Sequence, residues 1–114
     1  MPLIFAYGSL QQAQIQLVTF GRRLRGADDM LVGYDIVRSA DGRHATVTFT
    51  GRSDSRVPGT AFEVTDAELT AADAYERRDG YERISTVLAS GTEAWVYVDK
   101  RATTPPSWRE TRRA

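Results

Sequence analysis

The sequence predicts an α+β domain made mostly of antiparallel strands with a few short helices. Three observations point there: a continuous apolar run opens the chain, β-branched and aromatic runs crowd its middle, and a segment rich in Ala, Glu and Leu separates them from two final strands. At 114 residues the chain is near the commonest size for one domain and can bury a core without covalent staples.

Residues 3–7 (LIFAY) read as a buried first strand that breaks sharply at Gly8-Ser9. Ile15, Leu17, Val18 and Phe20 then predict a short helix stopped by Gly21, and the polar stretch from Arg22 to Asp29 a surface loop. Three runs follow that read as antiparallel strands: 31–38 (LVGYDIVR), 44–50 (HATVTFT) and 57–64 (VPGTAFEV), with Asp41-Gly42 and residues 51–56 as turns. Segment 66–77 (DAELTAADAYER) changes to helix-forming composition, and Thr65 with Glu68 supplies a capping box at its start. Strands at 81–89 and 93–98 flank the turn Ser90-Gly91-Thr92. From residue 103 the text TTPPSWRETRRA is polar and proline-containing, so the domain is expected to span 1–100 and residues 101–114 to form a tail with Trp108 as its one anchor.

Composition narrows the chemistry. Without cysteine there is no disulfide framework, thiolate nucleophile or Cys-based zinc site, which leaves oxygen and nitrogen groups. Fifteen basic residues balance fifteen acidic ones, so no broad electrostatic footprint favours nucleic acid or an anionic membrane, and a small ligand fits better. The opening apolar run lacks a basic flank and is too short for a signal core or a membrane span, which sets a cytoplasmic location as the expectation.

Two places stand out as chemical candidates. On the 66–77 helix, Leu69, Ala72 and Glu76 fall on one stripe, so Glu76 points where an apolar residue belongs. Desolvation there, and the negative end of the helix dipole, would both raise its pKa towards that of a general base. The alternative is that the helix frays at Tyr75 and Glu76 leans into water or pairs with Arg77, Arg78 or Arg83. The second candidate is Tyr7-Gly8-Ser9-Leu10, where a glycine after a buried strand lets a ligand approach bare backbone and successive free amides can hold a carboxylate or oxyanion. Such a turn equally serves to redirect the chain. His44, the single histidine, opens a strand pattern and reads as a rim residue; Arg22-Arg23 and Arg112-Arg113 read as solvated faces.

Taken together, FAYGSL at 5–10, IQLVTFGR at 15–22, LVGYDIVR at 31–38, VPGTAFEVTDAELTAADAYE at 57–76, YERI at 81–84 and EAWVYV at 93–98 resemble the γ-glutamylcyclotransferase-like family. That family includes γ-glutamylamine cyclotransferases and the avirulence-induced-gene proteins of plants, and IQLVTFGR is closer to the plant-type branch. The resemblance implies a small, mixed, mostly antiparallel β-barrel with a pocket at one end. It implies Glu76 as catalytic acid/base, a substrate loop at Tyr7, Gly8, Ser9 and Leu10, and Tyr81 and Arg83 shaping or closing the pocket. It further implies a small γ-glutamyl substrate that yields 5-oxoproline and an amine, with no metal or cofactor. The chain departs from the family pattern at His44-Ala45-Thr46, where many members carry a proline, and at Gln11 to Gln14, where many enzymes carry Arg-Gly and Asn. A pocket-bearing binding domain without turnover is the competing expectation; the oligomeric state is left open.

Overall fold

A computed structural model of the protein describes residues 1–41 and 45–99. The expectations for His44, Trp108, Arg112-Arg113 and the 101–114 tail therefore lie outside the described residues.

In chain order the elements are β1 (Leu3–Ala6), a single 3-10 turn (Ser9–Gln11), α1 (Ala13–Phe20), β2 (Gly26–Val32), β3 (Tyr34–Arg38), β4 (Ala45–Phe49), β5 (Arg56–Glu63), α2 (Asp66–Arg77), β6 (Tyr81–Val87) and β7 (Glu93–Asp99). Five strands form one mixed sheet in the order β2-β5-β1-β7-β6, while β3 and β4 pair as a separate two-stranded sheet. β1 is central, antiparallel to β5 through Ile4↔Phe62 and parallel to β7 through Phe5↔Val96. This position explains its unbroken apolar text, because both of its faces are covered. Phe5 packs on one face with Leu31, Val47, Val57, Val96 and Val98. Ile4 and Ala6 pack on the other with Phe62, Val64, Leu69, Ala72 and Tyr97, which seats α2 through Leu69 and Ala72 as expected.

Among the described residues the sheet forms no closed barrel. Its outer strands approach only at one place, where Leu31 bridges Leu88, the amide of Ala89 donates to the carbonyl of Met30 at 2.8 Å and Ser90 Oγ donates to Asp29 Oδ2 at 2.6 Å. Two boundaries also differ from the sequence expectation. The polar stretch expected as a loop becomes strand from Gly26 onward, paired from Gly26↔Phe62 to Val32↔Arg56. As an edge strand β2 leaves Ala27 and Asp28 exposed, so its text carries no apolar alternation. The expected 31–38 strand is divided at Gly33, whose φ of 87° turns the chain out of the five-stranded sheet into the hairpin.

Tight backbone approach sets the end of β1. A Cβ built on Gly59 would lie 2.4 Å from the carbonyl oxygen of Ala6 and 2.6 Å from Phe5 Cζ, so only glycine allows β5 to cross there. Pro58 is accommodated beside it because the β1 ladder has already ended at Ala6↔Thr60, leaving β5 with only β2 as neighbour.

Candidate functional site

Beyond Ala6 the chain enters the turn that carries Tyr7 to Leu10. Its 3-10 hydrogen bonds begin with the amide of Gln11 donating to Gly8 O at 3.1 Å and that of Gln12 to Ser9 O at 2.9 Å. The amides of Gly8, Ser9 and Leu10 precede these and take no part in them. A Cβ added at Gly8 would meet nothing within 4 Å, so bare backbone faces open space here.

Four side chains hold this turn. Leu10 is buried, and its carbonyl accepts from Gln16 Nε2 at 2.8 Å while Gln16 Oε1 accepts from the amide of Leu24 at 2.8 Å. The buried amide of Gln16 thus clamps the turn to the segment between α1 and β2. Ser9 Oγ shares a 2.8 Å hydrogen bond with the hydroxyl of Tyr75, tying the turn to α2 one residue before Glu76. Tyr7 donates its hydroxyl to the carbonyl of Tyr97 at 2.7 Å, and burial pushes its pKa well above the usual phenol range, so it stays a neutral donor.

The turn, the end of β1, the last residues of α2 and the start of β6 enclose a cavity of about 460 Å³. Phe5, Ala6, Leu10 and Tyr97 form its buried floor. Glu76 and Tyr81 are half-buried in its lining, and Gln11, Gln12, Arg38 and Asp79 are exposed at its rim. Glu76 therefore faces the cavity on the stripe that buries Leu69 and Ala72, and the reading in which it leans into bulk water does not hold. Burial, seconded by the nearby charge of Asp79, pushes its carboxyl up to about 7. A carboxyl titrating there can take and return a proton at neutral pH.

Tyr7, Gly8, Ser9, Leu10, Glu76 and Tyr81 thus line one cavity, although nearly seventy residues separate the turn from Glu76. Tyr81 donates its hydroxyl to Ala45 O at 2.6 Å, fixing the hairpin against the cavity wall. Arg83 is not part of this lining. It lies beside it, two residues further along β6 on the face that carries Tyr81, held 3.0 Å from Asp73 and with its guanidinium 4.3 Å from the centre of the Trp95 ring. Asp73 also accepts from Tyr97 Oη at 2.6 Å, so the Arg83-Asp73-Tyr97 chain braces α2 behind the cavity. Sequence reasoning missed Asp73 although it lies one turn before Glu76 on the same helix. Gln16, in a helix whose polar and apolar residues are not sorted to separate faces, and Arg38, at a strand end, carried no comparable signal. Among the described residues no three His, Cys, Asp or Glu side chains are grouped to hold a metal ion, and no helix is long and apolar enough to cross a membrane.

The fold is shared with solved structures. The solution structure of one Arabidopsis thaliana protein matches with a TM-score of 0.76 at 21% identity, covering 97% of this chain and 74% of that one. A second protein of the same plant gives 0.74 at 20% identity, covering 98% and 83%. A γ-glutamyl cyclotransferase gives 0.65 at 18%, covering 84% and 64%. These likenesses place the chain in an α+β class whose members share this mixed sheet and its two helices. The profile of the family described as "Gamma-glutamyl cyclotransferase, AIG2-like" matches residues 4–111. The chain belongs to that family. Among curated proteins none matches it.

Proposed function

We propose that this protein is a cyclotransferase that converts a small γ-glutamyl compound into 5-oxoproline and a free amine, with Glu76 as the proton carrier. The observation that carries the reading is a desolvated carboxyl, titrating about pH 7, in one cavity with an open backbone turn. The α-nitrogen of the substrate attacks its own γ-carbonyl carbon; a C–N bond forms, the carbonyl electrons move to oxygen, and their return expels the original amide nitrogen. The attacking nitrogen begins as an ammonium and ends as a lactam N–H, so it gives up two protons. The departing amine leaves as an ammonium and needs two. Glu76 relays protons between them without consuming water. The amides of Gly8, Ser9 and Leu10 receive the oxyanion or the substrate carboxylate, and the apolar floor holds the glutamyl chain bent for ring closure.

Incubation with a panel of γ-glutamyl amines and dipeptides, followed by assay of 5-oxoproline, tests this directly. In Glu76→Gln, which keeps shape but cannot accept a proton, turnover is expected to fall by at least about 100-fold while ligand binding persists. Equal turnover by the variant, or binding without any turnover by the wild type, would defeat the reading.

A further inference from the structure

We infer that Arg38 selects the leaving group: from the cavity rim its guanidinium receives a carboxylate on the departing amine, so γ-glutamyl amino acids are preferred over γ-glutamyl alkylamines. This rests on the cyclotransferase reading and deepens it.

Arg38 ends β3 opposite Ala45, and both residues line the cavity on the wall formed by the hairpin. Among the described residues the ion pairs engage Arg22, Arg52 and Arg83. Among those residues Arg38 has no such partner, and it is the only cationic side chain of the described cavity lining. The other charged groups there are Glu76 and Asp79, both acidic. A cavity with two carboxyl groups repels an anionic substrate, and an unengaged guanidinium on the facing wall offsets that repulsion.

Depth decides which end of the substrate Arg38 meets. The glutamyl carbons suit the floor of Phe5, Ala6, Leu10 and Tyr97, and the reacting centre must lie level with Glu76. The leaving group then points outward, past exposed Arg38, along the path by which it departs. A guanidinium offers paired N–H donors to a carboxylate there and nothing to an alkyl group.

The matched substrates are γ-glutamylalanine and γ-glutamylethylamide, which differ only by the leaving-group carboxylate and share the glutamyl α-carboxylate. The ratio of their kcat/KM values is expected to favour the alanine compound by up to about fivefold in the wild type, the size of a solvent-accessible ion pair. It should fall to about one in Arg38→Ala, be largely kept in Arg38→Lys, and invert in Arg38→Glu. A ratio unchanged in Arg38→Ala overturns the inference, including the case in which both substrates lose equally because Arg38 holds the glutamyl α-carboxylate. Turnover of both compounds with no wild-type preference overturns the inference and leaves the cyclotransferase reading standing. Turnover of other γ-glutamyl compounds but of neither of these two overturns the inference alone, and the absence of turnover of every γ-glutamyl compound tried overturns both.

Discussion

Glu76 is costly to the fold for the same reason that it suits proton transfer. Its carboxyl titrates about 7 when folded against 4.5 when free, so between those values the folded chain holds a proton that the unfolded chain has lost. Stability from this group is full below about pH 4.5, declines as pH rises through 7, and is then flat. Replacing the carboxyl with the amide in Glu76→Gln removes this dependence, and the variant should be more stable than wild type above pH 7 by on the order of 1–3 kcal/mol and no more stable near pH 4. Melting curves at the two pH values check this. Activity has the opposite pH trend, since only the ionised carboxylate accepts the ammonium proton: kcat/KM should rise through an apparent pKa near 7. Asp79 contributes to that raised value through its charge, so Asp79→Asn should move the acid limb of the profile to lower pH. An unmoved limb would remove Asp79 from the electrostatics of the site.

The helix that carries Glu76 is the element most completely written in the sequence. Asp66–Arg77 has the bounds its composition implies, and both halves of the capping box form: Glu68 N donates to Thr65 Oγ1 at 3.1 Å and Thr65 N to Glu68 Oε1 at 2.9 Å. What the local text could not show is that Arg22, expected on a solvated face, grips the same Glu68 with hydrogen bonds of 2.6 and 2.9 Å. That contact needs α1 beside α2, which is tertiary information. The same limit applies to β2, whose ladder with β5 depends on backbone groups that every residue supplies, and to Arg83, which is drawn to Asp73 and Trp95, partners on other elements. Glu76 and the turn at Tyr7 to Leu10 were legible because each violates a local pattern, an acid on an apolar stripe and a glycine after a buried strand. Arg38 violates none. Thr65→Ala should cost about 1 kcal/mol through the lost cap, read as a lower melting temperature without a changed pH profile. A variant that also shifted the profile would show that the helix start, rather than the Asp73 and Tyr75 contacts, sets the direction of Glu76.

At the scale of the molecule, β1 has β5 on one side and β7 on the other, so the first strand of the chain sits between partners some sixty and ninety residues away. During synthesis LIFA emerges well before β5 and β7 and cannot be flanked on both sides until β7 has followed. Closing such long loops costs entropy before any contact repays it, which places this topology among the slower folders of its size. The cavity shares that history, because its floor is built from β1, the turn and Tyr97 of β7, and Glu76 arrives on α2 in between. The lining is complete only when all of these elements have come together. Ligand binding and the fluorescence of Trp95, which lies in β7, should therefore be lost at the same urea concentration, in one transition. Binding that outlasted the β7 signal would reveal a partly unfolded chain still able to hold its substrate. If the two vanish together, a bound γ-glutamyl compound acts as a clasp on the whole chain, and the half-life of the protein in a cell becomes a reading of how much substrate is at hand.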